Sequence, residues 1–112
     1  MADVQLLGGV DIRELASRLD VTPTKKLGQN FVTDPNTIRR IVTAAKLTGD
    51  ETVVEIGPGL GSLTLGLLEV AKKVIAVEID PKMAAELEST IAKRAPGTDF
   101  TLVRNDALKV TE

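Results

Sequence analysis

The sequence predicts an α/β domain built on parallel strands, and three observations carry that expectation. The first is Val53-Val54-Glu55-Ile56-Gly57-Pro58-Gly59-Leu60-Gly61-Ser62-Leu63-Thr64, an apolar β-branched run that breaks into a glycine-rich turn and restarts with helical spacing. The second is Val74-Ile75-Ala76-Val77, an apolar run that ends on Glu78, 21 residues after Gly57. The third is the alternation of strand and helix patterns from Thr52 to Arg104, which calls for parallel strands joined by right-handed helical crossovers. A glycine turn followed by an acid at that distance marks a nucleoside-binding half-domain. The glycines let backbone approach a ligand, the helix start offers free N–H groups, and the acid can accept from a ribose diol.

Taken in order, residues 1–10 have no periodic pattern and are expected to be loose. Asp11 is expected to cap a short helix through Leu19, with Ile12, Leu15 and Leu19 on one face. Val21-Thr22-Pro23-Thr24 breaks it, and Lys25 to Thr33 reads as a loop. Asp34-Pro35 pairs an N-cap with proline at the first helical position, so a helix follows, with Ile38, Ile41, Val42 and Ala45 as its buried stripe. Thr48-Gly49-Asp50 ends it. The spacing then predicts strands over Thr52–Ile56, Val74–Glu78 and Phe100–Arg104. Between them it predicts helices over Ser62–Val70 and Pro81–Lys93, the second with Met83, Leu87 and Ile91 inward.

Composition narrows the chemistry. With 112 residues, 43% of them apolar, the chain can build one packed core. It has no cysteine and no histidine, which excludes a disulfide framework, thiolate chemistry, His general bases and the usual zinc sites; no metal is expected. No apolar run approaches the ~20 residues of a membrane-spanning helix, and Met1-Ala2-Asp3-Val4 does not open a secretory signal. A cytoplasmic location is the expectation. Net charge is −2 but unevenly placed. Lys25, Lys26, Arg39, Arg40 and Lys46 stand against Asp34 alone in residues 25–46, whereas residues 47–112 carry 7 basic and 11 acidic groups. The alternatives are a solvated helix face and a basic lip that meets a polyanion.

The motifs discriminate further. Asp11 to Pro23 has the look of the first half of a helix-turn-helix, but Lys25-Lys26-Leu27-Gly28-Gln29-Asn30 lacks the apolar spacing of a recognition helix, leaving a packing or docking helix as the expectation. The glycine turn is G-x-G-x-G with Pro58 inside it, not the G-x-G-x-x-G of dinucleotide sites. Proline removes one N–H from the anion cradle, which favours a nucleoside with a compact zwitterionic tail over a pyrophosphate. Asn105-Asp106 follows the third strand, so Gly57, Glu78 and Asp106 converge on the carboxyl end of one sheet, where ligands of such sheets bind.

Four blocks in this order then resemble a known family: Lys26-Leu27-Gly28-Gln29-Asn30-Phe31-Val32, Glu55 through Thr64, Val77-Glu78-Ile79-Asp80, and Asn105-Asp106-Ala107-Leu108. They look like the N-terminal part of the small-subunit ribosomal RNA adenine dimethyltransferases, over about residues 20–110. The resemblance implies S-adenosylmethionine as cofactor and transfer of two methyl groups to N6 of each of two adjacent adenosines. It also implies a Rossmann-like methyltransferase fold with helices on both faces of the sheet. Residues 25–112 would be a truncated cofactor-binding domain, and residues 1–24 an N-terminal extension with a short helix.

By the same resemblance, Asn30 and Val32 line the methionine end of the cofactor, Gly57 and Gly59 form the turn beneath it, Glu78 binds the ribose hydroxyls and Asp106 holds the adenine amino group. Acceptor-only carboxylates suit the last two tasks. The resemblance implies small-subunit ribosomal RNA as the partner of the whole protein, and the charge pattern offers Lys25, Lys26, Arg39 and Arg40 as its basic contacts. The family's target-base motif, Asn-Leu-Pro-Tyr or a near variant, is not in this sequence, so no catalytic residue is expected here and the chain alone is expected to be inactive. Two alternatives stay open: a piece of a large-subunit methyltransferase of the macrolide-resistance type, and a non-catalytic nucleoside-binding assembly module. A strand order of 3-2-1-4 without the fourth strand leaves Thr52–Ile56 as an edge, which predicts self-association.

Overall fold

A computed structural model of the chain describes residues 4–19 and 34–104. The elements are α1 (Gly9–Arg18), α2 (Pro35–Ala44), β1 (Thr52–Ile56), α3 (Ser62–Val70), β2 (Lys73–Val77), α4 (Pro81–Arg94) and β3 (Phe100–Val103). The three strands form one parallel sheet in the order β1-β2-β3, with Val53 opposite Val74 and Val74 opposite Phe100. Among the described residues β1 is therefore an edge, as the sequence predicts.

Two helices start on the same device. Asp34 and Asp80 each sit in extended backbone before a proline, and each carboxylate accepts from the freed amides of the first turn: Asn36 N–H at 3.0 Å for Asp34, Lys82 N–H at 2.9 Å and Met83 N–H at 3.3 Å for Asp80. The start of α1 differs from expectation. Gly8 is the N-cap, and Asp11 lies three residues inside, reaching back so that its carboxylate accepts from Gly8 N–H at 2.9 Å. Residues 4–10 are not loose either. Leu7 is buried, Gln5 N–H donates to the Arg94 carbonyl at 2.8 Å, and Arg94 Nη1 donates to the Leu6 carbonyl at 3.1 Å. Arg94 also pairs with Asp11 at 3.0 Å, and Arg18 with Glu86 at 3.2 Å, so α1 is tied to α4.

The sheet has two unlike faces. Along the strands Val53, Glu55, Val74, Ala76, Phe100 and Leu102 point one way, because side chains alternate with period two. Five of these six join a core that also holds Leu65 and Leu68 of α3, Leu87 and Ile91 of α4, Ile38 and Val42 of α2, and Ile12 and Leu15 of α1. Two successive right-handed crossovers in the same direction put α3 and α4 on this one face. On the other face Val54 and Ile56 are 58% and 60% exposed.

The seam of α2 against α3 is close. A Cβ built on Gly66 would stand 2.3 Å from Ile38 Cγ2 and 3.3 Å from Val42 Cγ2, so glycine is what lets the two helices touch. That single ridge explains why the expected stripe of α2 is only half used: Ile38 and Val42 are buried, but Ile41 is 43% exposed and Ala45 faces solvent. Against α3 the helix uses one i, i+4 row, Ile38 and Val42.

Candidate functional site

The turn between β1 and α3 is held in a backbone form that only glycine adopts freely. Gly57, Gly59 and Gly61 have φ of 67°, 61° and 99°. Each end is pinned. Gly57 N–H extends the ladder by donating to the Val77 carbonyl at 2.9 Å, and Gly61 N–H closes the turn on the Pro58 carbonyl at 3.1 Å. Gly61 is the N-cap of α3, and no capping side chain bonds the first-turn amides of the helix. A Cβ on Gly61 would meet Leu87 Cδ1 at 2.7 Å, whereas one on Gly57 would meet nothing within 4 Å. Gly61 is thus favoured by its φ, with the Leu87 side chain packed against it, and the open side at Gly57 is where another molecule can approach the backbone.

Glu78 stands one strand over, at the same end of the sheet. Its N–H donates to the Val103 carbonyl at 2.9 Å, which continues the β2–β3 ladder past the last strand residue. Its side chain is buried, at 7% exposure, and accepts from Asp80 N–H at 3.1 Å. That bond orients the carboxyl group without exhausting it, since a carboxylate offers about four acceptor positions. The fold therefore brings Gly57, Gly59 and Glu78 together at the carboxyl end of two neighbouring strands. Asn30, Val32 and Asp106, the other expected ligand contacts, lie outside the described residues, as do Lys25 and Lys26.

Arg39 and Arg40 are exposed on α2, but Arg39 pairs with Glu69 at 3.4 Å and Arg40 Nη2 donates to Thr37 Oγ1 at 3.4 Å. The basic lip is partly neutralised on this side. Among the described residues no cluster of three acidic side chains could hold a metal ion, and no helix is long and apolar enough to cross a membrane. Two clefts lie away from the glycine turn. One, of about 170 Å³, separates α1 from α4, and the other, of about 300 Å³, lies beside Phe100 and Leu102 at the β3 edge.

Three further side chains flank the turn: Glu55, Ser62 and Thr64. Thr64, fully buried in α3, donates its hydroxyl to Glu55 Oε1 of β1 at 2.5 Å. Burial pushes the Glu55 carboxyl above its ordinary range, and the Thr64 bond pulls the other way without overcoming it. The signal in the sequence was a carboxylate set in the middle of an otherwise β-branched strand. Ser62, at the first position of α3, has a buried hydroxyl without a hydrogen-bond partner among the described residues.

Comparison with known proteins adds an independent line. The family model for ribosomal RNA adenine dimethylase matches residues 22–111. The chain is 68% identical over 110 residues to ribosomal RNA small subunit methyltransferase A of Corynebacterium efficiens, covering 96% of this chain and 38% of that protein. It is 61% identical over 111 residues to the protein of the same name from Corynebacterium diphtheriae, again covering 38% of its length. Among solved structures, the 23S rRNA methyltransferase ErmE superposes with a TM-score of 0.64 at 36% identity, over 73% of this chain and 32% of that one. A dimethyladenosine transferase from Plasmodium falciparum gives 0.61 at 35% identity, over 70% of this chain and 28% of that one. An S-adenosylmethionine-dependent methyltransferase from Clostridium acetobutylicum, at 21% identity, shares the fold with a TM-score of 0.64 over 90% of this chain and 39% of its own. The chain spans about 38% of the length of the curated relatives it matches, and it belongs to the ribosomal RNA adenine dimethylase family.

Proposed function

We propose that this chain forms the S-adenosylmethionine-binding part of an enzyme that dimethylates N6 of adenosines in small-subunit ribosomal RNA. The observation that carries the reading is the placement of the Gly57–Gly61 turn and the buried Glu78 carboxylate side by side at the carboxyl end of the sheet. The turn receives the amino-acid end of the cofactor against open backbone, and Glu78 accepts from the ribose hydroxyls. Asn30 and Val32 close over the methionine end, and Asp106 accepts from the adenine amino group. The cofactor supplies an activated methyl group; these residues bind and aim it.

Small-subunit RNA is favoured over large-subunit RNA because the relatives at 68% and 61% identity are named for the small subunit, against 36% for the 23S enzyme. Lys25, Lys26, Arg39 and Arg40 supply a salt-sensitive, sequence-independent grip on the phosphate backbone. The protein works in the cytoplasm, where it meets the subunit. Base positioning needs a target-base motif that this sequence does not contain, so the 112 residues alone bind cofactor without turning over. The exposed β1 edge makes the chain self-associate.

Titration calorimetry tests the reading. The chain binds S-adenosylmethionine or its demethylated product, S-adenosylhomocysteine, and gives no heat with NAD. Glu78→Ala weakens binding by about 1–3 kcal/mol, the cost of stranding buried donors. Equal affinity in wild type and Glu78→Ala removes Glu78 from the site, and heat with NAD of the same size as with the proposed cofactor overturns the cofactor assignment.

A further inference from the structure

The glycine turn is packed at Leu60 and Gly61 but open at Gly57. Three residues in five are glycines at positive φ, Gly57 touches no side chain on its open side, and a chain so free loses much conformational entropy when fixed. Its two backbone bonds pin the ends to β2 and to Pro58, and Leu60 packs into the core. One side-chain bond spans directly from β1 to α3. Glu55 lies two residues before the turn and Thr64 three residues after it, and Thr64 Oγ1 donates to Glu55 Oε1 across the gap. Both partners stand where apolar residues would pack. Thr64 is 0% exposed, and Glu55 pairs in register with Ala76, itself 0% exposed. A carboxyl group in that position costs desolvation that a valine would not.

We propose that Glu55 and Thr64 are a positioning pair: their bond clasps the glycine turn and fixes the first turn of α3 over the carboxyl end of β1, so that the turn presents one backbone arrangement to the cofactor. Neither side chain touches the cofactor. The inference rests on the cofactor reading above, but the clasp itself is visible without ligand.

Four variants of the 112-residue chain test it. Thr64→Val and Glu55→Leu each remove the bond; Thr64→Ser and Glu55→Gln each keep a donor and an acceptor in place. Amide hydrogen exchange is measured without ligand at Gly61, inside the turn, and at Val74, whose N–H is bonded to the Asp99 carbonyl in the sheet. The affinity for S-adenosylhomocysteine is measured by calorimetry. In either loss variant Gly61 exchanges at least about tenfold faster with Val74 unchanged, and affinity falls by about tenfold. Thr64→Ser and Glu55→Gln stay within about twofold of wild type in both readouts. Either loss variant carries the test if the other fails to fold. The positioning role is overturned if Gly61 and Val74 accelerate together, which is general loosening, or if the turn opens while affinity holds. Wild type that binds no S-adenosylhomocysteine overturns the cofactor reading instead, and the exchange data separate that failure from the failure of the clasp.

Discussion

β1 and β2 are five-residue strands of similar composition, aligned residue for residue, yet they end in different surroundings. In β2, Val74 and Ala76 are fully buried and Val77 is nearly so. In β1, Val54 and Ile56 stay more than half exposed, and the inward residues Val53 and Glu55 are only partly covered. The residues do not explain this; the neighbours do. β2 has a strand on each side, whereas, among the described residues, β1 has a strand on one side only. Burial in a sheet is a property of position, and the same β-branched sequence is a core strand or an exposed edge according to what lies beside it.

The largest effect that separates the two environments is expected under α4. Leu87 is 1% exposed and sits against the glycine turn. Leu87→Ala should cost about 2–5 kcal/mol of stability, transfer plus cavity, measured as a fall in the urea midpoint. A cost below 1 kcal/mol would mean that the helix-covered face is no better packed than the β1 edge. Next comes Gly66→Ala. The new methyl group meets Ile38 Cγ2 at a distance no real contact tolerates, so the Ile38 side chain or α2 must shift, at about 1–3 kcal/mol. Ile38→Ala in the same chain should recover part of that loss. If the double variant is only additive, the α2–α3 seam is looser than its geometry.

Much of this was legible beforehand. Asp34-Pro35 and Asp80-Pro81 announce their helices through local chemistry alone, and the strands announce themselves by β-branched runs bounded by turns. Gly57, Gly59 and Glu78 could be placed at one end of a sheet because strand polarity follows from the alternation of strand and helix. What escaped depends on distant partners. Leu7 reads as part of a loose terminus until α4 is there to receive it. Gly66 is one residue among nine of its helix until Ile38 arrives against it. Asp11 reads as a cap because the sequence does not reveal that Gly8 already fills that place. Glu55 reads as one residue of the first strand until Thr64 closes on it. The roles of Asn30, Val32 and Asp106 came from resemblance.

A smaller effect is expected on the open face. Val54→Lys with Ile56→Lys should change the stability of the monomer by no more than about 0.5 kcal/mol per site, since exposed side chains bury little. It should, however, abolish concentration-dependent self-association, because charges on an edge strand oppose pairing with a second edge. Sedimentation velocity at several concentrations reads this directly. A wild-type chain that stays monomeric throughout would show that the β1 edge needs no cover.

The smallest effect distinguishes the two acids of the β1 segment by the sign of their pH dependence. Glu51, just before the strand, accepts from Thr48 N–H at 2.7 Å, Thr48 Oγ1 at 2.8 Å and Gly49 N–H at 3.0 Å. These bonds, those from Thr48 foremost, hold its carboxyl down at about 2 against an ordinary 4.5. Its contribution is fully present above about pH 4.5 and is lost as pH falls toward 2, because the unfolded chain takes up the proton first. The group faces solvent, so the effect is modest. Its carbonyl also accepts from Lys72 and Lys73 N–H at 3.0 and 3.2 Å, which makes this turn the rung where β1 joins β2. Glu55 behaves in the opposite sense. Burial raises its folded pKa, so as pH rises past 4.5 the unfolded chain releases the proton first and stability falls until the folded group ionises as well. Urea midpoints followed from pH 2 upward should therefore climb through the Glu51 window and then decline through the Glu55 window. Glu51→Gln should flatten the climb alone, and Glu55→Gln the decline alone. If Glu55→Gln leaves the decline untouched, the edge strand is open enough to hydrate that carboxylate, and the contrast between β1 and β2 is wider than the static burial implies.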